Sequence, residues 1–199
     1  MEKFIYAGVG SRKTPIPVLE TMEKIAQQMA PKWHLRSGYA DGADMAFGRG
    51  AHSANGDFTM YLPWDNFNKA PSHGEDQRFI TPKPTAELVE IAVQAYDSQS
   101  AVQLGKKPAW NRVSDATKLM MARNVCQVMG EDLKTLADVV ICWTKNAEAG
   151  GGTGQAIRIA NICGVPVFDL ADDFQCRALV EFINAFEEDN KDRLVSIPT

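Results

Sequence analysis

The sequence predicts an α/β protein built on a Rossmann-like open parallel sheet of about five strands, with helices on both faces. Two observations support this prediction. Short apolar segments alternate along the chain with longer segments in which apolar residues recur at helical spacing. Three of the apolar segments also lead into glycine-rich turns with polar tips, which is typical of strands followed by helices in such sheets. We expect residues 1–199 to form a single domain.

The first elements follow directly from this pattern. Residues 3–7, which are apolar from Phe4 onward, predict a buried strand. Pro15 and Pro17 favour a helix start, because proline suits the first turn, and apolar residues then recur at helical spacing up to Met29. A short strand is predicted near residues 33–36, just before the second glycine turn.

The next elements lead to a long irregular segment. The small residues of 43–51 predict a helix that packs closely on the sheet, and residues 58–62 predict a third strand. Residues 64–84 are polar, rich in proline and without period, which is too long for an ordinary connection. We therefore expect an insertion at about 64–110, with 64–84 acting as a functional loop or lid.

The remaining elements complete the alternation. The run from Ala137 to Trp143 is continuously apolar, as expected of a strand buried on both faces. A last strand is predicted at 165–168. Helical spacing predicts four further helices, at 85–103, 112–129, 154–163 and 173–188.

Composition narrows the classes of function. The formal net charge of −4 gives no broad basic surface for nucleic acid, although 21 lysines and arginines leave room for a local one. No apolar stretch reaches membrane-spanning length and the first residues run almost directly into a strand, so we expect a cytoplasmic protein without a membrane partner. The four cysteines lie in apolar stretches, which favours reduced, buried thiols. The three histidines show no ligand spacing, so we predict no metal and no cofactor.

The three glycine turns predict one binding pocket, because the carboxyl ends of parallel strands meet at the same edge of the sheet. Unpaired amides at helix N-termini favour anions there. In the first turn Gly10 is followed by Ser11 and Arg12, and the arginine fork suits bidentate contact with a phosphate. The alternative is a helix N-cap beside a solvated arginine.

The second turn offers Ser37 and Gly38 as donors to a phosphate or a ribose. It also contains Asp41 and Asp44. We expect at least one of these aspartates to cap the following helix, and the other can accept hydrogen bonds from ribose hydroxyls or exocyclic amines. The sequence does not assign the two roles.

The third turn runs from Gly150 to Gly154. The amides of Gly151, Gly152 and Gly154 can wrap an anion, and Thr153 can add a hydroxyl. Thr144 and Glu148 flank this turn. The alternative is a flexible surface loop.

The residues of these turns resemble a known superfamily. Two segments resemble the DprA/Smf DNA-processing proteins, namely Val9-Gly10-Ser11-Arg12 and Ser37-Gly38-x-Ala40-x-Gly42-x-Asp44-x-x-Ala46. Met121-x-Arg123-Asn124 and the later Gly151-Gly152-x-Gly154 are similar to the Lonely Guy (LOG) phosphoribohydrolase-like proteins. Together they resemble the SLOG superfamily over most of residues 4–62 and 112–170. The resemblance implies a Rossmann-like nucleotide-binding fold and a homo-oligomer.

The resemblance also implies that Arg123 and Asn124 face the pocket. Spacing alone would leave the Arg123 charge at the edge of an apolar helix. The LOG-type hydrolases carry a Pro-Gly-Gly-x-Gly-Thr-x-x-Glu run with a catalytic glutamate, and this chain has Gln155 and Arg158 in place of its threonine and glutamate. An arginine cannot act as the carboxylate of that reaction. Asp44 and Glu148 are the remaining catalytic candidates.

Three functions follow from these observations. The leading hypothesis is a protein that binds a nucleotide or nucleotide-derived phosphorylated small molecule on its glycine turns. The first alternative is a LOG-like hydrolase or transferase acting on the N-glycosidic bond of nucleoside monophosphates. The second is DprA-like binding of single-stranded DNA, for which a groove near the pocket would use the basic residues Arg12, Lys13, Arg36 and Arg49.

Overall fold

The computed structural model describes residues 3–103, 110–145 and 150–194. The strands are β1 (Phe4–Gly8), β2 (Trp33–Ser37), β3 (Phe58–Tyr61), β4 (Phe79–Ile80), β5 (Val139–Cys142) and β6 (Val167–Asp169). The helices are α1 (Ile16–Met29), α2 (Ala43–Ser53), α3 (Ala86–Gln103), α4 (Asp115–Met129), α5 (Gly151–Cys163) and α6 (Asp173–Asp189). None of the helices within these ranges is long and apolar enough to cross a membrane.

All six strands belong to one open sheet in which every pairing is parallel, in the order β4-β3-β2-β1-β5-β6. The predicted Rossmann-like fold is therefore confirmed. The additional strand, β4, has two residues and lies inside the segment predicted to be irregular. Two residues are too few to show the alternation of apolar and polar side chains that predicts a strand, so β4 is defined by its pairing with β3.

The strand order places a topological switch point beside β1. The chain moves outward from β1 through β2 and β3 to β4, and then returns to pair β5 with the opposite edge of β1. Connections therefore leave the ends of β1 and β5 in opposite directions, and a crevice opens between them. Ligands of open α/β sheets bind in such crevices, at the carboxyl ends of the strands.

Alternate strand residues supply the two faces of the core. On one face, Tyr6 and Trp33 pack with helices α1, α2 and α6. On the other face, Ala7 and Val140 pack with α3, α4 and α5. Because Val125 of α4 is fully buried in this second cluster, the apolar side of α4 covers the sheet. The expected homo-oligomer stays a prediction.

The segment between β3 and α3 packs against the domain through aromatic side chains. Phe67 is buried in the same core cluster as Tyr6, and its ring lies 5.2 Å from that of Trp64 in an edge-on contact. The side-chain amide of Asn68 donates to the carbonyl of Tyr39 at 3.1 Å. The single-domain organisation and the lid role of this segment both stay predictions.

The cysteines are free thiols. Cys126 and Cys142 are buried, as expected, whereas Cys163 and Cys176 are partly exposed. Burial raises the pKa of Cys126 to about 12. This thiol therefore stays protonated and unreactive near neutral pH.

Candidate functional site

A cavity of about 460 Å³ lies at the switch point between β1 and β5. Its size is in the range of small-molecule sites. Residues that follow β1, β2 and β5 line it, together with one side of α4 and the first turn of α5. The predicted ligand residues that line this cavity are Gly10, Ser11, Arg12, Asp44, Arg123, Asn124, Thr144, Gly151, Gly152 and Thr153.

The other predicted ligand residues lie outside the cavity lining. Ser37 is fully buried, and its hydroxyl donates to the carbonyl of Gly8 at 2.6 Å, which ties β2 to β1. Gly38 lies behind the cavity wall, Asp41 is exposed, and Gly154 is buried within α5. The amide of Gly154 donates to the carbonyl of Gly150, so it is not free for a ligand.

A buried ion pair forms the floor of the cavity. The Nη1 and Nη2 atoms of Arg123 each lie 3.5 Å from Oδ2 of Asp44, and both side chains are about 5% exposed. The amide of Ala40 also donates to this carboxylate, at 3.3 Å. Burial raises the pKa of Asp44, and the charge of Arg123 opposes that rise. The arginine is thus not at the helix edge, as spacing alone suggested, because Asp44 compensates its charge.

Gly38 makes room for this arginine. A Cβ atom on Gly38 would lie 1.3 Å from Nη1 of Arg123, so the guanidinium packs directly against the backbone of the second glycine turn. The glycine therefore acts through Arg123 and not through its own donors. This contact explains a glycine at a position that lines no cavity.

The first turn of α5 presents backbone amides at one edge of the cavity. The helix begins at Gly151 with Gly150 as its N-cap, so the third glycine turn is the helix start itself and not a preceding loop. The amides of Gly151, Gly152 and Thr153 have no acceptor within the helix, as in any first turn. Of the third turn's glycines that the structure describes, Gly151 has a positive φ, of 57°. The side chain of Asn124 holds this turn by donating to the carbonyl of Gly152 at 3.0 Å.

Cations line the same cavity as this edge. Arg12, Lys13 and Lys145 line the cavity with exposed side chains, and none forms an ion pair within the described part of the chain. With Arg123 they bring four cations to a lining whose described residues include one acidic side chain, that of Asp44. The cavity is thus positive although the chain as a whole has a net charge of −4.

Thr144 supports the wall and does not offer its hydroxyl. That hydroxyl donates in a short hydrogen bond to Oδ2 of Asp169, and the Thr144 amide donates to Oδ1 at 3.0 Å. These contacts join the end of β5 to the end of β6. Thr144 therefore positions the segment that leads to Lys145.

One expectation about capping is wrong, and one alternative is excluded. The N-cap of α2 is Gly42 and no side chain caps that helix, so neither Asp41 nor Asp44 has the capping role. Ser11 does not cap α1 either, because that helix starts after Pro15. The Ser11 hydroxyl instead accepts from the amide of Lys13 at 3.0 Å, which closes the first glycine turn.

Other predicted residues are placed away from the cavity. Two residues of the proposed basic groove do not line the cavity. Arg36 is buried and donates to the carbonyl of Thr135, and Arg49 pairs with Glu23. Arg158, at the position of the LOG glutamate, donates to the carbonyl of Ala95 and does not line the cavity. Glu148 lies outside the described residues. Across the described ranges, no cluster of histidine, cysteine or acidic residues could hold a metal ion.

Sequence reasoning missed two polar residues of the lining, Lys145 and Gln127. Lys145 directly follows Thr144, and its charge beside a strand end was the available signal. Gln127 follows Asn124 by one helical turn and interrupts the apolar run of α4, between Cys126 and Val128. A polar residue at that spacing shares the helix side of Arg123 and Asn124.

Comparison of the sequence with known protein families and with curated proteins finds no match. Solved structures with a similar fold exist. DNA processing protein A from Helicobacter pylori, which binds single-stranded DNA, superposes with a TM-score of 0.55 at 18% identity, covering 94% of this chain and 82% of that one. DNA processing protein A (DprA) from Streptococcus pneumoniae superposes with a TM-score of 0.49 at 18% identity, covering 90% of this chain and 56% of that one. At this identity the likeness concerns the fold.

Proposed function

We propose that this protein binds a phosphorylated, nucleotide-type ligand in the cavity at the switch point. The observation that carries the proposal is the charge of the lining, whose described residues bring four cations and the N-terminus of α5 together with one carboxylate. An acidic protein that concentrates positive charge in one concave site is suited to an anion. The polar floor beneath that charge suits the neutral part of a nucleotide.

Each part of the lining has a distinct role in this proposal. The free amides of α5 hold the phosphate, and Arg12 adds bidentate hydrogen bonds from its flexible side chain. The Asp44–Arg123 pair is nearly neutral as a unit and therefore adds little net attraction. Its carboxylate instead offers an acceptor to ribose hydroxyls.

Titration calorimetry tests this proposal. Nucleoside monophosphates, cyclic nucleotides and ADP-ribose are titrated into the parent protein and into Arg12→Gln, with Lys24→Gln as the control. Lys24 is exposed on α1 and does not line the cavity. We expect Arg12→Gln to weaken binding about tenfold, because charge-assisted hydrogen bonds are lost, and the control to bind as the parent does. No heat with any phosphorylated ligand at millimolar concentration would refute the proposal.

Single-stranded DNA is the second candidate ligand. The observations in its favour are the fold shared with the Helicobacter pylori protein and the exposed cations at the cavity mouth, Arg12, Lys13 and Lys145. Fluorescence anisotropy of a labelled oligothymidine at increasing salt tests it. Binding that weakens steeply with salt, and is lost in Arg12→Gln, would support DNA binding at this site. Displacement of the DNA by a nucleoside monophosphate would place both ligands in one cavity.

Cleavage of an N-glycosidic bond has less geometric support. The acidic residue of the described lining, Asp44, already compensates Arg123. The test is release of free base from nucleoside monophosphates by the parent and by Asp44→Asn. Release that Asp44→Asn abolishes, while ligand affinity is retained, would establish the hydrolase; absence of release leaves a binding protein.

A further inference from the structure

The side chain of Gln127 is buried in α4 without a hydrogen-bond partner. The residue is 1% exposed, and within the described part of the chain neither Nε2 nor Oε1 has a partner. A buried amide in this state lowers stability, so its presence requires an explanation. Gln127 lines the same cavity as the first turn of α5.

Gln127 lies at the inner end of the cavity. Four residues of α4 line the cavity at the spacing of one side of a helix, namely Met120, Arg123, Asn124 and Gln127. The carbonyl of Val128, at the end of α4, accepts from the amide of Ala137, shortly before β5 begins. The end of α4 is therefore near the start of β5, and Gln127 lies farther from the carboxyl edge of the sheet than Arg123 does.

We propose that Gln127 is a specificity-determining residue that recognises the polar edge of a nucleobase at the inner end of the cavity. This inference rests on the proposed function, which places the phosphate at the N-terminus of α5. A carboxamide presents one acceptor and two donors side by side. A nucleobase edge offers the complementary arrangement, with an amino or imino donor beside a ring nitrogen or carbonyl, and glutamine pairs with adenine in this way.

The chemistry of the carboxamide favours a base edge over an anion or a single hydroxyl. A second phosphate or carboxylate has no donor for Oε1, and a single hydroxyl cannot satisfy both amide atoms well. A base edge satisfies both at once. Because the site leaves a polar group unpaired without the correct ligand, it discriminates against ligands that lack the base.

The experiment compares binding of four ribonucleoside monophosphates (AMP, GMP, CMP and UMP) with binding of ribose 5-phosphate. We expect the parent to bind the best of the four at least about tenfold more tightly than ribose 5-phosphate, since two hydrogen bonds are added. In Gln127→Met this preference should fall to near unity, while the affinity for ribose 5-phosphate is unchanged. A structural role of Gln127 would not change this ratio selectively.

Gln155→Met is the matched control. Gln155 is also fully buried, but its Nε2 donates to the carbonyl of Ala92 at 2.7 Å and its Oε1 accepts from Arg158 at 3.1 Å. Without ligand, we expect a higher melting temperature for Gln127→Met, because an unpaired amide is replaced by an apolar group of similar shape. For Gln155→Met we expect a lower melting temperature, because its partners lose their hydrogen bonds.

The outcomes separate the two proposals. If ribose 5-phosphate, all four nucleotides, the cyclic nucleotides and ADP-ribose fail to bind, the proposed function fails, and this inference fails with it. If all five bind equally, the phosphate site stands and the inference is refuted. A nucleotide preference that survives in Gln127→Met, or a melting temperature that falls as far as in Gln155→Met, also refutes it.

Discussion

Removing the positive charge from the cavity floor should destabilise the protein in a pH-dependent way. The change is Arg123→Met, which keeps an unbranched apolar side chain and leaves Asp44 without its counter-charge. Both residues are about 5% exposed, so water screens the remaining charge poorly. The variant should fold less stably at neutral pH.

The magnitude follows from the distance between the charges. At 3.5 Å between Nη2 and Oδ2, and an effective dielectric constant of about 20, the attraction is about 5 kcal/mol. The parent loses part of this to desolvation of the two groups. Breaking a buried pair by removing one partner typically costs about 3 to 5 kcal/mol, and we expect a loss of that size in the free energy of unfolding at pH 8.

The sign of the pH dependence identifies the cause. Burial already raises the pKa of Asp44, and removal of Arg123 raises it further. The pKa of Asp44 is higher in the folded protein than in the unfolded chain, so the folded protein binds the Asp44 proton more strongly. As pH rises from the lower pKa to the higher one, Asp44 loses this proton and its buried charge destabilises the fold. The free energy of unfolding that Arg123→Met loses relative to the parent should therefore be largest at pH 8 and smaller at pH 5.

Urea unfolding followed by tryptophan fluorescence at both pH values measures this deficit. Other titrating groups are common to parent and variant, so their contributions largely cancel. The double variant Asp44→Asn, Arg123→Met should recover most of the loss, since no buried charge remains. A deficit equal at pH 5 and pH 8, together with a double variant as unstable as Arg123→Met, would show that lost packing and not the buried charge is the cause.

Three further predictions concern single positions. Gly152→Asp should fold normally, because the nearest atom to a Cβ there is 3.6 Å away. Calorimetry should nevertheless show that it binds phosphorylated ligands at least about tenfold more weakly than the parent, whereas Gly152→Ala, the neutral control, should bind them as the parent does. Equal binding by Gly152→Asp and the parent would mean that this helix start is only a turn. Gly38→Ala should displace the Arg123 guanidinium and lower the free energy of unfolding by about 1 to 3 kcal/mol in urea, and an unchanged midpoint would contradict the close contact. Burial lowers the pKa of His34 to about 4, so its neutral form is favoured by folding and its contribution to stability is lost as pH falls from about 6.5 towards 4. His34→Gln should flatten the unfolding free energy over that range, and an identical pH profile would refute the assignment.

Local pattern determined the secondary structure and the fold class. The continuous run before Trp143 and the helical spacing up to Met29 lie within single elements, where burial on one or two faces dictates which residues are apolar. Glycine turns after apolar runs also predicted where the candidate cavity lies, since parallel strands bring their carboxyl ends together. The short strand β4 was not predictable in this way, because its two residues form a strand only by pairing with β3.

The tertiary structure decided which polar residues meet. Asp44 and Arg123 are 79 positions apart, and their pairing depends on how α2 and α4 are rotated about their own axes against the sheet. The unpaired amide of Gln127 is invisible in the sequence for the same reason, since helical spacing defines a side of α4 but not what that side contacts. Local sequence determines the elements and the edge where they converge, whereas the long-range packing of the helices determines the charges and partners within the cavity.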